Sequence, residues 1–265
     1  MLNENKLKQI IALSQECNKC AMLHFKTFNK NSVNFKTDNS PVTKADLEVS
    51  KMAVNGLQKI FPDIKIISEE SNKSQKVFKN NKLFWLIDPI DGTKEYINSS
   101  PNFTVNFALI ENRLPIFGLI SQPHSGIIWY SFKGKAWKLE HKQAISNAKH
   151  IQCSSINYDK LRILSSFNHR STELDNWISI AKPISDNHIG SSIKFCYMAE
   201  GKVDFYPRTS PTMEWDIAAG HSILKAAGGN IVSDFGLEIQ YGKVNFKNKK
   251  FLAFGKTKQR IPSKL

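Results

Sequence analysis

The stretch WLIDPIDGT, residues 85–93, decides the fold and the chemistry of this chain. Its apolar beginning, together with the two residues before it, predicts a buried strand over 83–87, immediately before Asp88. Pro89 has no amide hydrogen and Gly92 tolerates unusual backbone angles, so the following turn can aim Asp88 and Asp91 at one point. Paired carboxylates favour a hard cation such as Mg²⁺, which takes oxygen ligands. The alternative is an ordinary acidic turn whose second aspartate is solvated.

Length and composition predict a folded globular protein. The 265 residues include 41% hydrophobic and 11% aromatic side chains, enough for one large domain or two closely packed ones. No apolar run approaches the length of a membrane span, and the first residues lack the apolar segment of a signal peptide. These features predict a cytoplasmic protein.

The charge balance is strongly basic. Lys and Arg number 37 against 23 Asp and Glu, for a formal net charge of +14. This balance permits an anionic partner, but a general bias toward Lys and Asn accounts for much of it. The sequence shows no basic stripe with interleaved aromatics and no nucleic-acid-binding module, so nucleic acid is not an expected partner. Peripheral binding to the anionic cytoplasmic side of the inner membrane stays open, as does the oligomeric state.

The four cysteines are too scattered to predict a disulfide framework. Cys17 and Cys20 form a C-x-x-C pair, and His24 follows one helical turn later. No second pair follows, no strand leads into this one, and the apolar spacing of residues 4–28 predicts a helix. We therefore expect Cys17 and Cys20 to be buried or half-buried helix residues, with a zinc or redox role as the alternative.

Apolar periodicity divides the chain into alternating elements, and a polar link within the weakly patterned region 140–159 is taken as the boundary between two halves, residues 1–145 and 146–265. An antiparallel meander is predicted over 104–132. Helices are predicted at 4–28, from the turn containing Asp46 to residue 60, and at 172–181, 191–200 and 214–227. Strands are predicted at 64–67, 83–87, 104–110, 115–120, 127–132, 161–165, 203–206, 231–232 and 251–254.

Acidic residues stand where these elements begin or end. Glu69, Asp88 and Asp91 follow strands, and Asp216 begins a helix. Such ends are where α/β layer folds collect their chemistry. Taken singly, Asp46 and Asp216 could each simply complement the start of a helix.

Three of these segments resemble the signatures of the inositol monophosphatase superfamily of magnesium-dependent, lithium-sensitive phosphatases. The segments are 68–70 (SEE), 88–93 (DPIDGT) and 215–220 (WDIAAG). Residues 91–97, 190–196, 199–201 and 206–208 are similar to the bacterial branch that acts on 3'(2'),5'-bisphosphate nucleotides. The resemblance implies an α/β layered αβαβα sandwich of two halves. The first half would carry most metal ligands, and the second would carry Asp216 and the specificity residues.

The resemblance also implies a ligand set and a proton acceptor. Two or three Mg²⁺ ions would be held by Glu69, Asp88, Asp91, Asp216 and the Ile90 carbonyl, and Li⁺ would inhibit the enzyme. Glu69, or Thr93 paired with Asp46, would take the proton from the attacking water. The Gly92 and Thr93 amides would hold the departing phosphate.

For the rest of the substrate, the resemblance assigns contacts to Ser191, Lys194, Arg208 and His169. Glu69, Asp91 and Asp216 would also border the substrate. Relatives often have Phe-Gly where this chain has Thr209-Ser210, which puts the pocket wall beside Arg208 in question. The implied reaction removes the 3'-phosphate of adenosine 3',5'-bisphosphate. An inositol or sugar phosphate phosphatase is the first alternative, and a basic nucleic-acid or membrane-surface binding protein with a vestigial metal site is the second.

Overall fold

The computed structural model describes residues 2–28, 34–35, 41–71, 82–165 and 171–257. The α-helices in these ranges are α1 (Glu4–Lys26), α2 (Lys44–Ile60), α3 (Thr93–Ile97), α4 (Thr172–Ala181), α5 (Ile193–Ala199) and α6 (Glu214–Ala226). The strands of the first half are β1 (Asn34–Phe35), β2 (Pro41–Val42), β3 (Lys65–Ser68), β4 (Leu83–Asp91), β5 (Thr104–Glu111), β6 (Leu114–Gln122), β7 (Ile127–Phe132) and β8 (Lys135–Leu139). Those that follow are β9 (Lys149–Ile151), β10 (Arg162–Ser165), β11 (Ser185–His188), β12 (Phe205–Arg208), β13 (Thr212–Met213), β14 (Asn230–Ser233), β15 (Lys247–Asn248) and β16 (Phe251–Phe254).

A seven-stranded sheet in the order β3 to β9 combines strands of the first predicted half with β9, which lies past residue 145. Strand β3 runs parallel to β4, and the later neighbours pair antiparallel, which confirms the predicted meander. Helices α1 and α2 cover one face. Apolar residues at helical spacing, such as Ile10, Val49 and Leu57, meet Trp85 and Phe117 of the sheet in one buried core.

The second half contains a five-stranded sheet in the order β11-β10-β12-β16-β14. Helix α4 covers its outer face, where Trp177 and Ile178 pack against a small core that includes Ile163 and Phe205. Two further pairs of short strands, β1 with β2 and β13 with β15, lie outside both sheets.

Helices α5 and α6 form the layer between the sheets. They share one large core with both, from Phe84 and Ile110 of the first sheet to Leu164 and Phe251 of the second. The order of layers is therefore helices α1 and α2, sheet, helices α5 and α6, sheet, and helix α4. The predicted αβαβα sandwich is confirmed.

Helix α6 approaches its neighbours closely because its facing residues are small. A Cβ atom placed on Gly118 of β6 would lie 2.2 Å from the Ala219 carbonyl oxygen, and one on Gly220 would lie 2.3 Å from the Phe195 ring. Helix α6 therefore packs tightly against both β6 and α5.

Several predicted boundaries differ from the structure. The strand expected to end at residue 87 continues as β4 to Asp91, because the chain after Asp88 keeps pairing with β5 across a register shift. The helix expected from residue 191 begins at Ile193. The polar strand Ser185–His188 was missed because it lacks the apolar pattern that predicts strands.

Cys17 is buried and Cys20 is half-buried in α1, as expected. Among the helices that the structure describes, none has the length and apolar character needed to cross a membrane.

Candidate active site

Parallel pairing of β3 with β4 brings the first two acids together. Ser68 lies opposite Ile87, so Glu69 and Asp88, the next residue of each strand, emerge side by side. Both line a cavity of about 240 Å³. The cavity also receives the Ile90 backbone, Asp91 and Asp216. The acids that the sequence singled out from distant segments thus meet in one place.

The turn after Asp88 sets the direction of the next groups. Strand β4 has three steps from Asp88 to Asp91, while its partner has two from Asn106 to Thr104, so one extra residue bulges out. Gly92 follows with φ at +93°, a left-handed conformation that glycine adopts without a steric penalty. The backbone can therefore reverse into α3 and carry Thr93 over the same cavity.

Asp91 is held by residues of β5 and of the turn before α5. Its Oδ2 atom accepts hydrogen bonds from the Ser192 amide at 2.5 Å, from the Ser192 hydroxyl and from Asn106 Nδ2 at 3.4 Å. The Ser192 hydroxyl also lies 2.8 Å from the Asp216 carbonyl oxygen. Ser192 therefore links the two acidic segments, and its contacts fix the orientation of the Asp91 carboxylate.

Asp216 lies in the first turn of α6. Its Oδ2 atom accepts the Met213 amide at 2.8 Å, so the expected role at the helix start is present. Its side chain also lines the cavity with the other acids, and the two roles coexist.

Asp46 and Thr93 form the expected pair. Thr93 Oγ1 lies 3.3 Å from Asp46 Oδ1 and 3.1 Å from the Ile90 carbonyl oxygen. The buried Asp46 carboxylate also accepts the Thr43 amide at 2.8 Å and the Thr43 hydroxyl at 2.5 Å, which caps α2 and fixes the carboxylate. Neither Thr43 contact occupies the oxygen that faces Thr93.

The acidic side chains of the cavity repel one another electrostatically. Burial, followed by the charges of Glu69, Asp91 and Asp216, raises the pKa of Asp88 well above its ordinary value. Burial and then Asp91 and Glu69 do the same to the pKa of Asp216. Asp88 Oδ1 is buried and has no hydrogen-bond partner among the described residues. An all-oxygen donor set with mutual repulsion and an unpaired buried oxygen fits a hard divalent cation such as Mg²⁺.

Cationic side chains line the same cavity. Lys194 is buried, donates to the Ile189 carbonyl oxygen at 2.8 Å and lies 5.0 Å from the centre of the Tyr206 ring. Arg208 lies 3.4 Å from the Tyr206 hydroxyl and 3.4 Å from the Ser210 carbonyl oxygen. Ser191, at a left-handed φ of +54°, begins the turn into α5 and borders the cavity. These groups give the acidic cavity a positively charged part.

His169 lies outside the residues that the structure describes. Sequence reasoning did not identify Ser192 or Asn106, both of which contact Asp91, or Tyr206, which contacts Lys194 and Arg208. Asn106 carried a usable signal, since it and Thr104 are polar residues two apart in a strand whose other residues before Glu111 are apolar.

A sequence model of the inositol monophosphatase family matches residues 3–254. The chain belongs to the inositol monophosphatase family. Similar proteins include the 3'(2'),5'-bisphosphate nucleotidase CysQ of Buchnera aphidicola subsp. Acyrthosiphon pisum, 35% identical over 250 residues that cover 93% of this chain and 92% of that protein. The enzyme of the same name from Salmonella typhimurium is 39% identical over 206 residues, covering 78% of this chain and 81% of that protein.

Solved structures place this inositol monophosphatase family member in the same fold. The crystal structure of CysQ from Bacteroides thetaiotaomicron superposes with a TM-score of 0.78 at 29% identity, covering 95% of this chain and 97% of that one. An inositol monophosphatase from Thermotoga maritima gives a TM-score of 0.74 at 27% identity, covering 94% and 92% of the two chains.

Proposed function

We propose that this inositol monophosphatase family member removes the 3'-phosphate of adenosine 3',5'-bisphosphate, yielding AMP and phosphate. One observation carries the proposal: the acidic cluster that suits Mg²⁺ and the cations Lys194 and Arg208 line a single cavity. A substrate with two phosphates needs both features, one for the ester that is cleaved and one for the phosphate that stays. Relatives named as bisphosphate nucleotidases support the same choice.

Glu69, Asp88, Asp91, Asp216 and the Ile90 carbonyl would hold the metal. A single Mg²⁺ ion is usually bound through one or two carboxylates, so four carboxylates favour two or three ions. Bound Mg²⁺ would lower the pKa of an attacking water and neutralise charge on the phosphate. Li⁺ is expected to inhibit, and phosphate release measured at fixed Mg²⁺ with increasing Li⁺ tests this.

Thr93 and Asp46 would together accept the proton of the attacking water. The Thr93 hydroxyl has one hydrogen, which it gives to Asp46 or to the Ile90 carbonyl, and its oxygen lone pairs remain free to accept from water. As water bonds to phosphorus, its proton passes to Thr93, whose own proton passes to Asp46. The bond between phosphorus and the ribose 3'-oxygen breaks, and that oxygen takes up a proton from a solvent water molecule. Glu69 is the alternative acceptor.

The second phosphate would bind Lys194 and Arg208. A guanidinium can hold a phosphate through two parallel hydrogen bonds, and an ammonium supplies a compact charge. The Gly92 and Thr93 amides would receive the departing phosphate, and Ser191 and His169 would border the ribose. The net charge of +14 would also draw a dianionic substrate toward the cavity.

Parallel assays test the proposal. Adenosine 3',5'-bisphosphate and inositol 1-phosphate are incubated separately with enzyme and Mg²⁺, and released phosphate is measured. We expect a much higher kcat/KM for the bisphosphate. Equal or faster turnover of the inositol ester would instead support an inositol or sugar phosphate phosphatase. Binding to RNA or to anionic vesicles at moderate salt, without phosphatase activity, would support a basic binding protein with a vestigial site.

We also propose that the protein works in the cytoplasm. All four cysteines are free, and three of them are buried, which suits a reducing compartment.

A further inference from the structure

A second cluster of metal-ligating side chains lies on the outer helical layer. Cys20 and His24 occupy positions i and i+4 of α1, and Glu48 comes from the second turn of α2. One ligand atom from each of the three lies within 4.8 Å of the other two. We propose that Cys20, His24 and Glu48 form a binding site for a tetrahedral transition-metal ion of the Zn²⁺ class.

The helix geometry explains why these three side chains meet. Residues four apart project from the same face of a helix, so Cys20 and His24 point together toward α2. Helix α2 packs against α1 and supplies the third group from a different segment of the chain. Zinc sites use this arrangement, in which two ligands lie at i and i+4 of one helix and a third comes from another segment of the chain.

The distances suit a tetrahedral ion. Bonds of about 2.0 to 2.3 Å to nitrogen, oxygen and sulfur place the ligand atoms of such an ion roughly 3.3 to 3.6 Å apart. His24 Nε2 lies 2.8 Å from Glu48 Oε2, and Cys20 Sγ lies 4.0 Å from the same oxygen. The observed spacings bracket the required ones, so small side-chain rotations would complete the geometry. A water molecule would supply the fourth ligand.

The donor set selects the class of metal. Thiolate and imidazole favour Zn²⁺, Co²⁺ and similar ions, whereas Mg²⁺ takes oxygen ligands. The active-site cavity has the opposite character, since its candidate ligands are all oxygen atoms. The two sites are therefore expected to prefer different metals, Zn²⁺ at the Cys20 site and Mg²⁺ in the active-site cavity.

The surroundings leave the ligand atoms accessible. The side chains of His24 and Glu48 are 19% and 45% exposed, so an ion can enter from solvent. Lys44 Nζ lies 3.4 Å from Glu48 Oε1, whereas Glu48 Oε2 faces His24. Burial and then the Glu48 charge raise the pKa of the Cys20 thiol, so metal binding would release its proton.

Cys17 does not belong to this site. It is fully buried, and burial raises its pKa to about 12, so its thiol stays protonated. The C-x-x-C pair that the sequence offered as a zinc or redox alternative is thus replaced by a Cys-x-x-x-His pair completed by Glu48.

Co²⁺ titration of the metal-free full-length protein tests the site, because Co²⁺ bound to a thiolate shows a sulfur-to-metal charge-transfer band. We expect this band and the visible bands of tetrahedral Co²⁺ to saturate at one equivalent and to disappear when Zn²⁺ is added. Carboxylate sites cannot produce the sulfur band. Cys20→Ala and His24→Ala should abolish it, and Glu48→Gln should weaken Co²⁺ binding by about tenfold or more.

Two variants serve as controls. Cys153→Ala removes a buried cysteine of the other half, and Asp91→Asn alters the active site, so both should keep the band. Thermal unfolding adds a second readout. At saturating Mg²⁺, which fills the carboxylate site, adding Zn²⁺ to a hundredfold above its Kd should raise Tm by roughly 5 °C in the wild type and in Asp91→Asn, but not in Cys20→Ala. The absence of a sulfur band in the wild type, or its survival in His24→Ala, would overturn the proposal.

Discussion

At the scale of single residues, the acidic cavity combines ligands with the groups that hold them. Asp91 is both a proposed metal ligand and the acceptor of the Ser192 amide and hydroxyl. Its charge and its hydrogen bonds can be separated experimentally, because asparagine keeps an accepting oxygen and loses the charge.

Asp91→Asn is expected to lower kcat/KM by about 100-fold or more while leaving the fold intact. The amide can still accept from Ser192, so circular dichroism and Tm should match the wild type closely. Asp63→Asn, at an exposed turn, is the matched control and should retain full activity. Normal turnover with normal Mg²⁺ affinity in Asp91→Asn would contradict the proposed role.

Lys194→Met tests the second phosphate contact. Methionine preserves the bulk of the buried side chain but removes its charge, and the loss of a charged hydrogen bond costs about 1.5–3 kcal/mol. We expect kcat/KM for the bisphosphate to fall roughly 10- to 100-fold, with little change for a simple monophosphate. Lys202→Met is the control, since that lysine also lies over a tyrosine ring but outside the cavity. An equal loss on both substrates would remove Lys194 from the specificity argument.

At the scale of elements, the contact between α5 and β4 organises the site. Ser192, just before α5, donates to Asp91 at the end of β4 and to the first turn of α6. Ser192→Ala keeps the amide hydrogen bond and deletes the hydroxyl contacts. We expect about a 10-fold higher Mg²⁺ concentration for half-maximal activity, with saturated kcat less affected. Titration of activity with Mg²⁺ measures this, and an unchanged Mg²⁺ requirement would show that the hydroxyl does not position Asp91.

The close approach of α6 to β6 makes a separate prediction about stability. In Gly118→Ala the new methyl group would overlap the Ala219 carbonyl oxygen, and such overpacking costs about 1–3 kcal/mol. We expect Tm to fall by roughly 3 to 10 °C. Gly255→Ala is the control, because its nearest neighbour lies 3.4 Å away and Tm should change by less than about 2 °C. Equal Tm values for the two variants would show that α6 moves away without cost.

At the scale of the whole molecule, a buried histidine couples stability to pH. His221 of α6 lies 3.0 Å from the Tyr241 hydroxyl and 3.0 Å from Asn230 Oδ1, and burial lowers its pKa to about 4. The unfolded chain binds a proton at His221 near its ordinary pKa of 6.5, so between about pH 4 and 6.5 the unfolded state holds more protons. Stability therefore rises with pH across this window and is lost as pH falls.

The pH effect can be isolated by comparing variants at saturating Mg²⁺. Between pH 7 and pH 5 the free energy of unfolding should fall by about 2 kcal/mol more in the wild type than in His221→Gln. His124→Gln, at an exposed position, should behave like the wild type. Urea unfolding at the two pH values measures both. If His221→Gln kept the full wild-type pH dependence, another group would be responsible.

Much of the fold was predictable because its signals are local. Helices α1 and α4 and the strands of the meander have strong apolar periodicity, and the structure places them within a few residues of the predicted bounds. Strand β11 was missed because its residues, Ser185–His188, are polar, and among the described strands it pairs with β10 alone. The division of the chain at residue 145 stays a prediction.

The sequence by itself determined the fold class, the family and the acids of the candidate site, because short motifs and periodic patterns consist of residues that are close together in the sequence. Only the tertiary structure decided that Ser192 holds Asp91 across 101 positions, and that Glu48 meets Cys20 and His24. Such contacts depend on how helices and sheets pack, because residues far apart in the sequence can lie close together in the folded protein.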